Sequence, residues 1–413
     1  MVTDADGSRR ETDPEIVVGR DYSAPVATGT LSAGDSPPTH LLVTIERVYA
    51  ARDLAARSGI DLLVVTPGSD LRYLSGYNAH AMERLTALAV PREGEPFLVV
   101  PRLEAPMVDA GPAGALQLEL LAWDETDDPF ALLAWAAAGR LGATPVRVAV
   151  GGRTWAEHAL GIQRALPGSA LELANPVVDQ LRMVKSAAEV EELAAAGAAI
   201  DRVHARMAEW LRVGRTEAEV GTDIAAAILA EGHVGVDFTI VGSGPNGASP
   251  HHELSGRTIG AGELVVVDIG GVTATGYRSD CTRTYVVGGS AEPEVAEWYG
   301  VLHAAQQAAT AAVSPGVPAE AIDEAARVVI RDAGWGEHFI HRTGHGIGLD
   351  THEAPYIVEG NDLRLTPGMA FSVEPGIYLA GRCGARIEDI VVCTEDGVRV
   401  LNEGPRELVE LPG

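Results

Sequence analysis

Residues 263–287 read ELVVVDIGGVTATGYRSDCTRTYVV. Two apolar, β-branched runs enclose a stretch containing Gly270, Gly271 and Gly276, the signature of a β-hairpin. Each run carries an aspartate, Asp268 and Asp280, inside strand-like sequence. Twelve residues apart, the two side chains would face one another across the paired strands. Carboxylates buried without a counter-charge are very costly. A chain that folds this hairpin into its interior must therefore supply a cation there.

Other residues in the second half extend the pattern. Twelve histidines exist, and six of them fall at 251–252 and 338–352. His345 lies in TGHGIGLDTHE, Glu374 in AFSVEPGIY after a strand-like segment, and Glu388 in ARIEDIVV opening another. Taken singly, an acid at a strand end is usually just solvated. Two Asp, two Glu and one His together form a hard, oxygen-rich donor set. Such a set suits Mn²⁺, Co²⁺ or Zn²⁺, and four carboxylates suit two ions better than one.

The overall charge points the same way. Lys+Arg number 31 against Asp+Glu 58, a formal net charge of −27, and 34 of the acids follow residue 182. Most of this excess reads as solvated surface. It argues against nucleic acid, whose phosphates need clustered cations, and against anionic membrane surfaces. Lys185 is the only lysine, which reads as a compositional habit. Three cysteines, Cys281, Cys383 and Cys393, without CxxC spacing are neither a disulfide framework nor a zinc ribbon. The N-terminal residues show no apolar signal region, and no apolar run of membrane-spanning length exists, so a cytoplasmic location is expected.

Organisation follows from composition and periodicity. Residues 1–40 are rich in Asp, Gly, Ser, Thr and Pro and are expected to be a disordered extension. Over 41–175, strand-like runs (DLLVV, TALAV, FLVVP, VRVAV) alternate with helices predicted at 41–58, 128–140 and 154–166. That alternation indicates a compact α/β domain. After a junction at 174–186, Ser186–Glu189 and Thr216–Glu219 are capping boxes. They open helices predicted to run to about 212 and to Gly232. The second of these, VGRTEAEVGTDIAAAILAEG (213–232), aligns with PGVPAEAIDEAARVVIRDAG (315–334) at an offset of 102. This weak repeat suggests a domain of two related halves with a site between them.

The runs SGPNGASPHHE, VVVDIGG, SDCTRTYVVG, HRTGHGIGLDTHE, SVEPGIY and RIEDIVV, in this order, resemble the pita-bread metallopeptidases. Within them the match is to the Xaa-Pro branch, prolidase and aminopeptidase P. The resemblance implies an α/β (α+β) architecture: a pita-bread catalytic domain over 183–405 with pseudo-twofold halves, behind a smaller creatinase-type domain over 41–175. It implies a dinuclear metal-dependent Xaa-Pro peptidase, acting through a metal-bridging hydroxide on small peptides with proline second. Its metal ligands would be Asp268, Asp280, His345, Glu374 and Glu388, holding two divalent ions, with Mn preferred and Co or Zn as alternatives. Glu374 would also shuttle the proton to the leaving nitrogen. His251, His341 and His352 would orient substrate and stabilise the tetrahedral intermediate. Arg386 would contact the bridging carboxylates or substrate. A homodimer is a family expectation.

Some features bear on that reading. The Asp268–Asp280 spacing is one residue longer than in many prolidases, and a longer hairpin tip would absorb it. His251 is favoured over adjacent His252, and His338 reads as surface or core. Cys281 should point away from Asp280 and pack as a thiol. Gly242–Gly247 satisfies GxGxxG, but Pro245 argues against the helix that a dinucleotide site requires. HRTGH lacks the glutamate of HExxH. Residues 72–78 would either wall the site or, for Tyr73 and Leu74, pack in the core. Dipeptidase and aminopeptidase P remain open alternatives. So do a creatinase-like or other non-peptidase hydrolase or lyase, and a non-catalytic binding module on the same fold.

Overall fold

The computed structural model describes residues 42–413, so the extension over 1–40 lies outside the described residues. The predicted early helices form at Ile45–Arg57, Pro129–Leu141 and Ala156–Ala165. Asp128 caps the second by accepting from the amides of Phe130 and Ala131. Gly59, at φ 73°, allows the chain to turn out of the first.

These helices flank a six-stranded sheet. Its spatial order is Glu119–Trp123, Phe97–Pro101, Ala87–Pro91, Leu62–Val65, Arg147–Val150, Ala170–Leu173. Leu62–Val65 runs parallel to Arg147–Val150, which runs parallel to Ala170–Leu173. The central strand is apolar throughout because both its faces are covered. Leu62 and Val64 pack with Leu133 and Ile162 on one side. Leu63 and Val65 pack on the other, in a core that also takes in Tyr277, Ile347 and Ile390 from the second half. Tyr73 and Leu74 belong to this core, and the Tyr73 hydroxyl donates to Leu181 O at 3.1 Å. They pack rather than wall the site.

Both capping boxes form, and they open helices Ala187–Ala205 and Glu217–Ala230. The first is shorter than its Ala-rich sequence predicts. It gives way to a 3₁₀ turn at Met207–Glu209, and Met207, Trp210 and Leu211 turn into the core beside Val203. Apolar burial here overrides helix propensity.

The internal repeat is structural. Glu217–Ala230 and Ala319–Asp332 occupy positions offset by the same 102 residues as the aligned sequences. Each is preceded by a glycine at positive φ, Gly214 (88°) and Gly316 (83°). Each also starts beside an isolated antiparallel bridge, Thr216 with Thr258 and Pro318 with Arg364. One half carries a four-stranded sheet built around Glu263–Val272 and Arg278–Val287. The other carries a five-stranded sheet containing Gly344–Gly346, Ala370–Val373 and Asp389–Thr394.

The predicted hairpin forms with uninterrupted register from Glu263↔Val287 to Val272↔Arg278. Residues 273–277 form the tip, and the paired strands carry no bulge. Asp268 pairs with Thr282 and Asp280 with Gly270. The aspartates are therefore diagonal neighbours on one face rather than directly opposite, which corrects the expectation from spacing alone. Diagonal positions still lie within reach of one another on an antiparallel face. Cys281 takes the opposite face, fully buried with Val203, Ile228 and Ile269.

Candidate active site

An open cleft of about 1450 Å³ lies against the aspartate-bearing face of the hairpin. Its lining includes His251, Asp268, Asp280, His341, His345, His352, Glu374, Arg386 and Glu388, so every site residue expected from sequence reaches this one cleft. Strand register explains the convergence. Val373 pairs with Asp389, which brings the ends carrying Glu374 and Glu388 side by side. The Glu388 amide donates to Thr282 O at 3.1 Å, tying that end to the hairpin.

The carboxylates are crowded and largely buried. Asp268, Asp280, His345 and Glu388 are all buried. Asp280, His345 and Glu388 each offer a ligand atom within 4.8 Å of the others. Burial pushes Asp280 well above the usual carboxylate range, and Glu388, Asp268 and Glu374 add to the rise. Burial also drives Glu388 well up, helped by Glu374 and Asp268. Asp268 is raised by burial, against the pull of Arg386. Glu374 behaves differently. Burial pushes it upward, but His345, His341 and Arg386 hold it well below its usual range. One carboxylate thus stays ionised while three resist it.

Two observations test whether the residues fit divalent ions. Asp268 Oδ1 and Glu388 Oε1 are buried without any hydrogen-bond partner. Orphaned buried acceptors call for an explanation, and a bound cation is one. The other is His345, whose Nδ1 lies 3.1 Å from Gly346 O and must donate to it. Nε2 then faces Glu374 Oε1 at 3.1 Å and Asp280 Oδ2 at 3.7 Å. That nitrogen needs a proton or a cation between itself and the carboxylates. The donor set, four carboxylates and one imidazole, fits divalent ions.

Around the cluster runs a directed hydrogen-bond chain. Arg386 donates to Asp268 Oδ2, to Thr282 Oγ1 at 3.0 Å and to the Tyr378 hydroxyl at 2.9 Å. A guanidinium only donates, and the Arg342 carbonyl, 2.7 Å from His341 Nδ1, only accepts. The Tyr378 hydroxyl must therefore donate to His341 Nε2 at 2.9 Å. Both His341 nitrogens are thus engaged within the protein. Burial raises the Tyr378 hydroxyl to about 12 and lowers the His341 imidazole, so both stay neutral near pH 7. His352 packs against His345 with ring centroids 3.9 Å apart and ring planes tilted by 46°. Burial, then His345, push its imidazole down to about 4.

The adjacent histidines separate cleanly. His252 Nε2 lies 2.8 Å from Glu217 Oε2, while the His251 ring is exposed to the cleft. Glu217, the first residue of its helix, is fully buried. It also accepts from the Ser243 amide and hydroxyl, the Asn246 amide group and the Ser255 hydroxyl at 2.5–3.0 Å. Sequence reading missed Glu217 and Tyr378. A glutamate beside a capping box reads as solvated, and the tyrosine of SVEPGIY gives no sign that its hydroxyl meets Arg386. His338 packs against Trp335 and does not line the cleft. Residues 244–248 form a 3₁₀ turn after a strand, so the GxGxxG run opens no α-helix. Among the described residues, no helix is long and apolar enough to cross a membrane.

Comparison with known proteins agrees with this geometry. Residues 191–395 match the model for metallopeptidase family M24, and residues 47–184 match the creatinase/prolidase N-terminal domain. A probable dipeptidase PepE from Mycobacterium bovis is 52% identical over 370 residues, covering 90% of this chain and 97% of that protein. An Xaa-Pro dipeptidase from Lactobacillus helveticus is 34% identical, covering 86% and 96%. The crystal structure of dipeptidase PepE from Mycobacterium ulcerans superposes with a TM-score of 0.85 at 54% identity, covering 89% of this chain and 98% of that one. The two related halves, the carboxylate-lined cleft between them and these relatives lead to one assignment: the chain belongs to metallopeptidase family M24, with a pita-bread catalytic fold behind a creatinase-like N-terminal domain.

Proposed function

We propose that the chain is an Xaa-Pro dipeptidase, hydrolysing the bond before proline in small peptides. The observation that carries this reading is the convergence of four carboxylates and one imidazole on one cleft, with two carboxylate oxygens lacking partners. The Mycobacterium bovis relative, a probable dipeptidase, and the Lactobacillus helveticus Xaa-Pro dipeptidase support this reading. Asp268, Asp280, His345, Glu374 and Glu388 would hold two divalent ions, Mn²⁺ first, with Co²⁺ or Zn²⁺ as alternatives. Such ions, when bound, lower the pKa of a water and polarise a carbonyl.

The chain's own residues then have distinct tasks. Glu374, kept ionised at neutral pH, accepts a proton and passes it to the leaving proline nitrogen. His251 and His352, exposed to the cleft, orient the peptide and stabilise the developing oxyanion. Arg386 fixes Asp268, and His341 acts through Tyr378 rather than by a free nitrogen. We place the domain junction within 174–186, and read the protein as a cytoplasmic homodimer. We assign no nucleic-acid or membrane partner to it.

Aminopeptidase P is the second reading, favoured by a cleft roomy enough for a chain beyond proline. One assay separates the readings. Protein stripped of metal, then reloaded with Mn²⁺, Co²⁺ or Zn²⁺, is given an Xaa-Pro dipeptide, an Xaa-Pro-Xaa tripeptide, a non-proline dipeptide and creatine. Metal-dependent cleavage of the Xaa-Pro dipeptide is expected. Cleavage of the tripeptide alone moves the assignment to aminopeptidase P. Metal-independent creatine turnover overturns the peptidase reading.

A further inference from the structure

The loop that ends the run HRTGHGIGLDTHE, residues 347–353, is gripped largely from the N-terminal domain and the junction behind it. Ser69 Oγ donates to Asp350 Oδ1 at 2.6 Å, and Arg153 Nη1 reaches the same oxygen at 2.5 Å. Arg182 Nη2 donates to Asp350 Oδ2 at 2.8 Å and to Glu353 Oε2 at 2.5 Å, while its other arm holds Asp70 at 2.6 Å. Lys185 Nζ completes the set, 2.8 Å from Glu353 Oε1. Asp350, Glu353, Arg182 and Lys185 are all buried.

The origin of these donors is informative. Ser69 follows Leu62–Val65, and Arg153 follows Arg147–Val150. These strands are parallel neighbours, so both loops leave the same C-terminal edge of the sheet. That edge is where open α/β sheets bind their ligands. Here a crevice of about 290 Å³ lies at the edge, and Asp350 and Glu353 project into it.

Asp350 and Glu353 bracket Thr351 and His352. The brackets are buried, and His352 between them is exposed to the cleft against His345. We propose that Ser69, Arg153 and Arg182 are positioning residues for His352, the N-terminal sheet holding Asp350 in the crevice at its C-terminal edge. The N-terminal half thereby sets catalytic geometry rather than only walling the cleft. This rests on the role given to His352 above.

The test is a double-mutant cycle on kcat/KM in the metal-loaded enzyme. It combines Arg153→Ala, and Ser69→Ala with Arg153→Ala, with His352→Ala. Arg153 is 67% exposed, so its truncation leaves the fold intact. Arg182 remains in both variants to compensate buried Asp350. A shift of about 1 Å in a working group costs up to about 100-fold. The double variant should therefore lower kcat/KM by about 10-fold or more in the wild-type background, and by less than about 2-fold beside His352→Ala. Arg153→Lys should restore part of the loss. Without metal, hydrogen exchange of amides 347–354 should quicken in the double variant. Equal losses in both backgrounds, or unchanged exchange, overturn the inference while leaving His352 in its role. If His352→Ala alone leaves kcat/KM unchanged, the role of His352 fails, and the inference with it.

Discussion

Replacing Asp280 by Asn should change stability in opposite directions with and without metal. In metal-free protein the Asp280 carboxyl shares its space with Glu388, their nearest ligand atoms no more than 4.8 Å apart. Ionised together, two unit charges at that distance would repel by about 3 kcal/mol at an effective dielectric of about 20, which adds to burial in keeping these carboxyls protonated. Asparagine keeps the shape and removes the charge. For a chain of this length the unfolding entropy is about 0.9 kcal/mol/K, so full relief corresponds to about 4 °C in Tm. The pH dependence has a definite sign. Asp280 is raised in the folded state, so the folded chain keeps this proton while the unfolded chain, near the ordinary 3.8, gives it up. Wild-type metal-free protein therefore loses stability as pH rises above about 4, until the folded carboxyl has itself ionised. The advantage of Asp280→Asn should be absent below that pH and grow above it.

With ions bound the order reverses. A ligand at about 1,000 times its Kd stabilises by about 4 kcal/mol, and the variant, lacking one anionic ligand, should gain little. Scanning calorimetry in EDTA and in excess Mn²⁺, from pH 4 to pH 8, reads all of these quantities. A variant that melts below wild type in EDTA at pH 7, or that gains as much from Mn²⁺, would refute the assignment of Asp280 as an inward-facing ligand.

Three further outcomes follow from the geometry. Tyr378→Phe removes the hydroxyl joining Arg386 to His341; kcat should fall by about 10- to 100-fold with metal content unchanged, as measured by kinetics and elemental analysis. Glu217→Gln sets an amide against groups that all donate, so denaturant titration should show a loss of about 1–3 kcal/mol, and kcat/KM should fall with it. Iodoacetamide should modify native protein slowly and at Cys383 alone, since Cys281 and Cys393 are buried; peptide mapping that finds native Cys281 labelled would contradict the hairpin's facing.

The hairpin shows what a sequence can disclose. Local alternation places Asp268 and Asp280 on one face and Cys281 on the other, and both hold. The pairing partner depends on where the tip closes, so spacing alone suggested opposition where register gives a diagonal. Ser186 and Thr216 declare their helix starts because capping is local. The end of the Ala187–Ala205 helix does not, because it is decided by Trp210 and Leu211 meeting a distant core. Within the site, the proposed ligands stand in strand-like runs with recognisable neighbours. Glu217, Tyr378 and Asp350 act through partners 26, 37 and 281 residues away, beyond any periodicity.

Lys185 carries a consequence of another kind. The chain's one lysine has a side chain only 1% exposed and is paired with Glu353 at the seam between the two halves. An acylating reagent can reach that amine only when the seam breathes. The rate of its modification therefore reports the opening equilibrium at one known point. No label need be engineered for the measurement, since the chain has a single lysine and hides it at the joint, and peptide mapping separates it from the α-amine. Substrate or metal that tightens the joint should slow the reaction, and their effects can be ranked by mass spectrometry of one peptide.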